Sequence, residues 1–389
     1  MSTPASPESR LPELFAQFLK KEPDPRGKHG TSHLFPTILA IVLLGLLSTL
    51  AAIERWAKSH LTTLKTFLRF PRGVPHAITL ARVLRKVSLD DIQKAFAEFL
   101  NALLQDTALV AAVDGKTAKQ MTDEDGNPLH MLNVFAQVLK LHLASWSVKG
   151  DKTNEPGCLK KHLGELFEMY PCLKLLTGDA IFAQRPLLKA IQEYHRDYLM
   201  QVKDNQGNVL KHMKRVFKDA PSQEPSDYQC SKKKGNVEIR HLWVRKWAAE
   251  PVRKQLGIPG CRALIRQDKE VRRAGKVLFE ETRYFITCLD PDEVSPSEFR
   301  DLIRGHWEVE NCLHWQKDRY FREDKHVLRD GFGKTWTVLT NMALSLSRLL
   351  WKGERTLKEV RERWRLNPLP AARTRGLHRE TCEQRGAVG

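Results

Sequence analysis

The chain lacks the cysteine pattern of a disulfide framework and that of a zinc site. Its seven cysteines, Cys158, Cys172, Cys230, Cys261, Cys288, Cys312 and Cys382, are odd in number, scattered and nowhere spaced C-x2-C. They are expected to be reduced and mostly buried. Acidic charge is also short, with 46 Asp and Glu against 64 Lys and Arg, a net charge of +18. That surplus points to a polyanionic partner, nucleic acid ahead of an anionic membrane, because no strongly basic amphipathic stretch stands out. The N-terminus has no charged leader followed by an apolar core, so no secretory signal and a cytoplasmic location are expected. A phosphate-binding loop is excluded around Gly115-Lys116-Thr117, because position 110, where that pattern needs Gly, is Val. No nucleophile elbow occurs, which sets aside a Ser/His/Asp hydrolase.

What is present suffices for a folded protein. At roughly 150 residues per domain, 389 residues predict two or three folding units, and 41% hydrophobic content leaves too much apolar material for wholesale disorder. Residues 34–53 are nearly uncharged and approach the length of a membrane span. Pro36, Gly45, Ser48 and Thr49 interrupt them and Glu54-Arg55 ends them, so a buried helix is the expectation.

Along the chain, residues 1–33 are polar and rich in Pro, Ser and Gly, and read as a loosely held basic arm. Residues 34–105 have helical apolar spacing and a candidate N-cap at Ser88, predicting an all-α domain whose recurrent Lys and Arg suit a phosphate backbone. From 106 the pattern turns to strand-length apolar runs, LVAAVDG, LHMLNVFAQVL and KLHLASWSV. A helix, the strand LKLLTGD, a second helix, the strand DYLMQVKDN and a basic helix follow. The order βββαβαβα predicts an RNase-H-like α/β fold, a mixed sheet flanked by helices, over 106–351. Within it, about 220–292 is a strand-rich β insertion before the helical pattern resumes at Pro296-Ser297. Residues 352–389 read as a basic, poorly ordered tail.

Two acids close strands: Asp114 after LVAAV and Asp179 after LKLLTG. Each alone fits ordinary turn chemistry. With the first strand beside the fourth they would be neighbours, and two such carboxylates repel unless a divalent cation lies between them, with Mg2+ the natural choice for hard oxygen ligands. A third acid is offered by IRGHWEVENCLHWQKD. There His306, Glu310, His314 and Lys317 fall at i, i+4, i+8 and i+11, one face of an α-helix, which selects Glu310 over Glu308. A solvated face of mixed charge accounts for this segment equally well.

The segments VDGKT, KTNE (152–155), TGDAIFAQ, DYLMQVKDNQ, NVEIR and HWEVENCLHWQKDRYFREDKHVLRDG resemble the H-repeat-associated family of insertion-sequence transposases. So do DPRGKHGTSHLFPTILAIVLLGLLSTLAAIERWA and RGVPHAITLARVLRKV, and the likeness spans about 24–350. The family belongs to the DDE transposases, with an RNase-H-like core. The resemblance implies catalytic, metal-binding carboxylates at Asp114, Asp179 and Glu310, with Glu323 and Asp324 as rival acids. The superfamily's Tyr-x2-Arg-x3-Glu-x6-Lys signature is kept at Glu310 and Lys317, while His306 stands in the Arg position and Ile303 in the Tyr position. Lys317, His306, Arg304, Lys116 and Lys203 are the implied DNA-phosphate contacts.

The implied activity is cutting phosphodiesters at element ends and joining the freed 3′-OH to target DNA, by in-line displacement with two Mg2+ ions, Mn2+ being able to substitute. The implied partners are double-stranded DNA at transposon ends and target, and a second copy of the chain in a dimer or larger assembly. No membrane is involved, and the setting is the bacterial cytoplasm at the nucleoid. Two other readings remain: a metal-dependent nuclease without strand transfer, and a catalytically silent DNA-binding protein derived from a transposase.

Overall fold

The computed structural model describes residues 7–27, 31–45, 49–104, 107–150, 152–233, 235–329, 331–350 and 356–366. Six helices come first: α1 (Pro7–Lys21), α2 (Phe35–Gly45), α3 (Leu50–Ser59), α4 (Leu61–Leu64), α5 (Ala77–Leu84) and α6 (Leu89–Leu104). The expected loose arm is therefore corrected over 7–21. Leu11, Phe15, Phe18 and Leu19 recur at helical spacing and are buried, and Phe18 meets the α6 ring of Phe96 edge-on at 5.7 Å. Burial of that apolar stripe outweighs the flanking Pro and Ser. Ten of the eleven residues of α2 are buried, as a core helix requires. No single helix among the described residues is long and apolar enough to cross a membrane.

The remaining elements are β1 (Leu109–Thr122), β2 (Pro128–Ala136), β3 (Leu141–Ser147), α7 (Glu155–Met169), β4 (Leu173–Gly178), α8 (Arg185–Glu193), β5 (Asp197–Val202) and α9 (Gly207–Val216). Then follow β6 (Asp227–Lys233), β7 (Asn236–Arg245), α10 (Ala249–Lys254), β8 (Ala263–Arg273), β9 (Lys276–Thr287), α11 (Pro296–His306), α12 (Phe332–Leu350) and α13 (Leu357–Leu366). The strands form one nine-stranded sheet in the order β3-β2-β1-β4-β5-β9-β8-β7-β6. β1, β4 and β5 are parallel and the other pairs antiparallel, which is the mixed, helix-flanked sheet of an RNase-H-like fold. The β insertion is not a separate layer. β9 pairs antiparallel with β5, from Leu199 opposite Thr287 to Val202 opposite Tyr284, so the inserted strands extend the main sheet and cover an edge that β5 would otherwise expose.

β4 and β5 are buried on both faces except at Lys174 and, partly, Asp197, which is why apolar residues dominate them. Leu175 and Leu199 pack with Phe299 and Ile303 of α11 on one face, while Leu176, Tyr198 and Met200 join the main core on the other. α11 begins with a capping box in which Ser295 and Glu298 satisfy each other's backbone N–H groups. The expected tail is helical over 357–366, where Val360 is buried and the Arg361 guanidinium lies 5.3 Å from the Tyr320 ring centre. Residues 367–389 lie outside the described residues.

Candidate active site

Parallel pairing fixes where the first two acids emerge. Val113 of β1 is registered directly against Gly178 of β4, so Asp114 and Asp179 leave adjacent strands side by side. Gly178 is required at this point, because a Cβ there would lie 2.8 Å from Met200 Sδ and 3.0 Å from Phe182 Cβ. Asp179 then caps the short turn that follows, its Oδ1 accepting from the Ile181 N–H at 3.0 Å. Both carboxylates are half-buried.

Beyond α11 the helix widens into two π-helical stretches, over Val309–His314 and Lys317–Phe321. The α-helical spacing read from the sequence therefore does not hold. His306, His314 and Lys317 turn inward and are buried, and Glu310 alone of the four is exposed. Partial burial pushes the Glu310 carboxyl above the ordinary carboxylate range, the charge of Asp114 adds to that, His314 and then Arg283 oppose it, and Asp179 adds a smaller push. The Glu310 carboxylate thus stands within the electrostatic reach of Asp114 and Asp179.

Glu310 also lines a cleft of about 530 Å³ whose opposite wall is the β insertion. Arg240 of β7, Lys269 of β8, Arg283 of β9 and Arg304 of α11 face it, with Trp307 beneath the Arg283 guanidinium at 4.3 Å. Carboxylates partly offset this charge, Lys269 pairing with Glu238 at 3.4 Å and Arg283 with Glu281 at 2.8 Å. The arrangement sets a row of cations beside an acidic centre.

A family model described as the Transposase DDE domain matches residues 108–346, and one described as DDE_Tnp_1-associated matches residues 16–100. The chain belongs to the DDE-domain transposases. It is 28% identical over 331 residues to YbfL of Escherichia coli K12, covering 79% of this chain and 83% of that one. The same identity, length and coverage hold for the H repeat-associated putative transposase YhhI of that strain. Among solved structures it is similar, at 11% identity and a TM-score of 0.42, to a piggyBac transposase synaptic complex with hairpin DNA, over 97% of this chain and 79% of that one.

Within this transposase the expected phosphate contacts divide. Arg304 reaches the cleft and donates to Gln229 Oε1 at 2.8 Å, and Lys203 is exposed just beyond β5, on the strand-end side that carries Asp179. Lys317 is different: it is 1% exposed and pairs with Glu323 Oε1 at 2.6 Å. Lys116 pairs with Asp318 at 2.5 Å and with Glu323 at 3.3 Å. Both lysines are held inside the protein, which corrects their expected contact with DNA. His306 is corrected likewise. It is buried, its Nδ1 lies 3.2 Å from Thr177 Oγ1, and burial pushes its pKa below the ordinary imidazole value despite Asp114 and Asp179, so a charged grip on phosphate is disfavoured.

The rival acids are already engaged. Glu323 is 2% exposed; burial alone would raise its pKa, but Lys317 and Lys116 hold it below the usual range. Asp324 pairs with Lys119 at 3.3 Å.

Sequence reasoning missed Arg240, Lys269 and Arg283. Their signal was alternation within NVEIR, RQDKE and EETRY, which puts Arg240 opposite Lys269 and Gln267 opposite Arg283 once the strands pair.

For a metal, the relevant donors are Asp114, Asp179 and Glu310. Among the described residues no three His, Cys, Asp or Glu side chains stand close enough as placed to share an ion. The donor chemistry nevertheless fits a hard divalent cation, since all three donors are carboxylates.

Proposed function

We propose that the chain cuts phosphodiesters at the ends of a mobile element and joins the freed 3′-OH to target DNA, with Asp114, Asp179 and Glu310 as its working carboxylates. The observation that carries this reading is the register of Val113 against Gly178, which sets Asp114 and Asp179 side by side, together with Glu310 lining a neighbouring cleft walled by arginine and lysine. Asp114, Asp179 and Glu310 would hold Mg2+, which supplies charge stabilisation at the oxygens that attack and leave phosphorus. The protein itself contributes position and field. Arg240, Lys269, Arg283 and Arg304 would bind the phosphates flanking the scissile one and set the strand in line with the acids. The partner is double-stranded DNA, met at the bacterial nucleoid. Two element ends have to be brought together, so a dimer or larger assembly belongs to the proposal, as does a DNA-recognition role for the helices of 34–105.

The test is a pre-cut element end carrying a free 3′-OH, incubated with target DNA, Mg2+ and the full chain. Joined product is expected. Hydrolysis of uncut ends without any joined product would identify a nuclease instead.

A further inference from the structure

Behind the acidic centre lies a buried polar cluster that packing alone does not require. Asn133 of β2 stands directly opposite Asp114 in the β1–β2 register. Around it are Ser145 of β3, Asn341 of α12 and Gln93 of α6, and all four side chains are buried. The Ser145 hydroxyl donates to Asn133 Oδ1 at 2.8 Å, and Asn341 Nδ2 donates to the same oxygen at 3.2 Å. Two donors on that atom decide which way the Asn133 amide points. Its Nδ2 therefore faces the other way, toward Met131 O at 3.1 Å and His314 Nε2 at 3.4 Å.

An amide nitrogen has only hydrogens to offer. His314 Nε2 must then present its lone pair, which leaves the imidazole proton on Nδ1. That nitrogen lies 3.3 Å from Asp114 Oδ2. We propose that Asn133 is a positioning residue of the active site: through His314 it selects the Nδ1–H tautomer, whose proton holds Asp114 in one orientation with its other oxygen left available. The support reaches further still, because the Ser145 N–H donates to Gln93 Oε1 at 2.7 Å. The hydrogen bonds thus run from α6 to the His314 ring, whose Nδ1 stands against the first acid. The functional part of the inference rests on Asp114 being a working carboxylate as proposed above; the tautomer does not.

The experiment labels the full chain with 15N-histidine, assigns the His314 ring signals by their loss in His314→Gln, and reads the tautomer from long-range 1H–15N correlations. The wild-type ring is expected as Nδ1–H. In Asn133→Ser the two tautomers should mix, and Mn2+ binding measured by electron paramagnetic resonance without DNA should weaken by about tenfold. A wild-type ring protonated on Nε2, or on both nitrogens, overturns the proposal, and this spectrum decides even where the variant does not fold. An Asn133→Ser chain with unchanged tautomer and unchanged Mn2+ affinity overturns it as well. If Asp114→Asn keeps full cleavage while the ring is Nδ1–H, the functional reading has failed and the hydrogen-bond assignment has not.

Discussion

Replacing Glu323 by Gln removes the carboxylate that compensates a fully enclosed ammonium. Lys317 Nζ lies 2.6 Å from Oε1 of Glu323 and the Lys317 side chain is 1% exposed, so water cannot take over the carboxylate's role. Breaking a buried pair from one side costs about 3–5 kcal/mol, because the remaining charge stays desolvated. The structure places this substitution toward the lower end. Lys116 keeps Asp318 at 2.5 Å, and a glutamine oxygen can still accept from the Thr337 hydroxyl, now 3.0 Å from Oε1, so the cost falls almost wholly on Lys317. About 3 kcal/mol is expected from urea unfolding followed by tryptophan fluorescence. Substituting both partners by apolar residues, Lys317→Met with Glu323→Leu, should recover most of that loss, leaving a deficit of about 1 kcal/mol, since no charge is then stranded. A Glu323→Gln chain as stable as wild type, or a double variant less stable than either single one, would refute the reasoning. The same substitution separates the rival acid from a structural one. A catalytic Glu323 would lose cleavage with stability intact.

Arg283→Ala should weaken DNA binding and lower the slope of log affinity against log salt by about one, since one phosphate contact is lost; an unchanged slope would remove Arg283 from the DNA track. Glu22, just beyond α1, has its pKa raised to about 7, chiefly by burial and next by Asp91. A carboxyl with a raised folded-state pKa binds its proton more tightly folded than unfolded. Its contribution to stability is therefore present below the ordinary carboxylate pKa and is lost as pH climbs through about 7. Glu22→Gln should flatten that dependence and stabilise the chain at pH 8 by on the order of 1 kcal/mol, read as a shift in the urea midpoint, whereas an unaltered pH profile would show that Glu22 is solvated.

The strands that carry the first two acids were legible because their physics is local. LVAAV and LKLLT are largely buried on both faces, Lys174 excepted, so apolar residues dominate both, and an acid that ends such a run leaves the core. Their adjacency followed from the order of elements. Glu310 was selected by spacing, but it does not share a face with His306, His314 and Lys317, because a π-helical turn changes the period and no residue type marks where it occurs. The burial of Lys317 and Lys116 depended on Glu323 coming within reach, a contact set by the left-handed Arg322 (φ 54°) and the turn that follows it. Composition cannot announce such a pairing. The α1 stripe, in contrast, was readable at Leu11, Phe15, Phe18 and Leu19, and the surrounding Pro and Ser masked it. The basic wall at Arg240, Lys269 and Arg283 needed the strand register, since alternate residues become a surface only after pairing.

The claim on which the account stands is that Asp114, Asp179 and Glu310 serve one reaction centre. Cleavage of an element-end duplex in Mg2+ and binding of the same duplex, measured together for Asp114→Asn, Asp179→Asn and Glu310→Gln, test it most directly. Each variant is predicted to bind DNA within a few-fold of wild type while its cleavage rate falls by at least about a thousandfold, some 4 kcal/mol of barrier. Cleavage near the wild-type rate in any one of the three would contradict it.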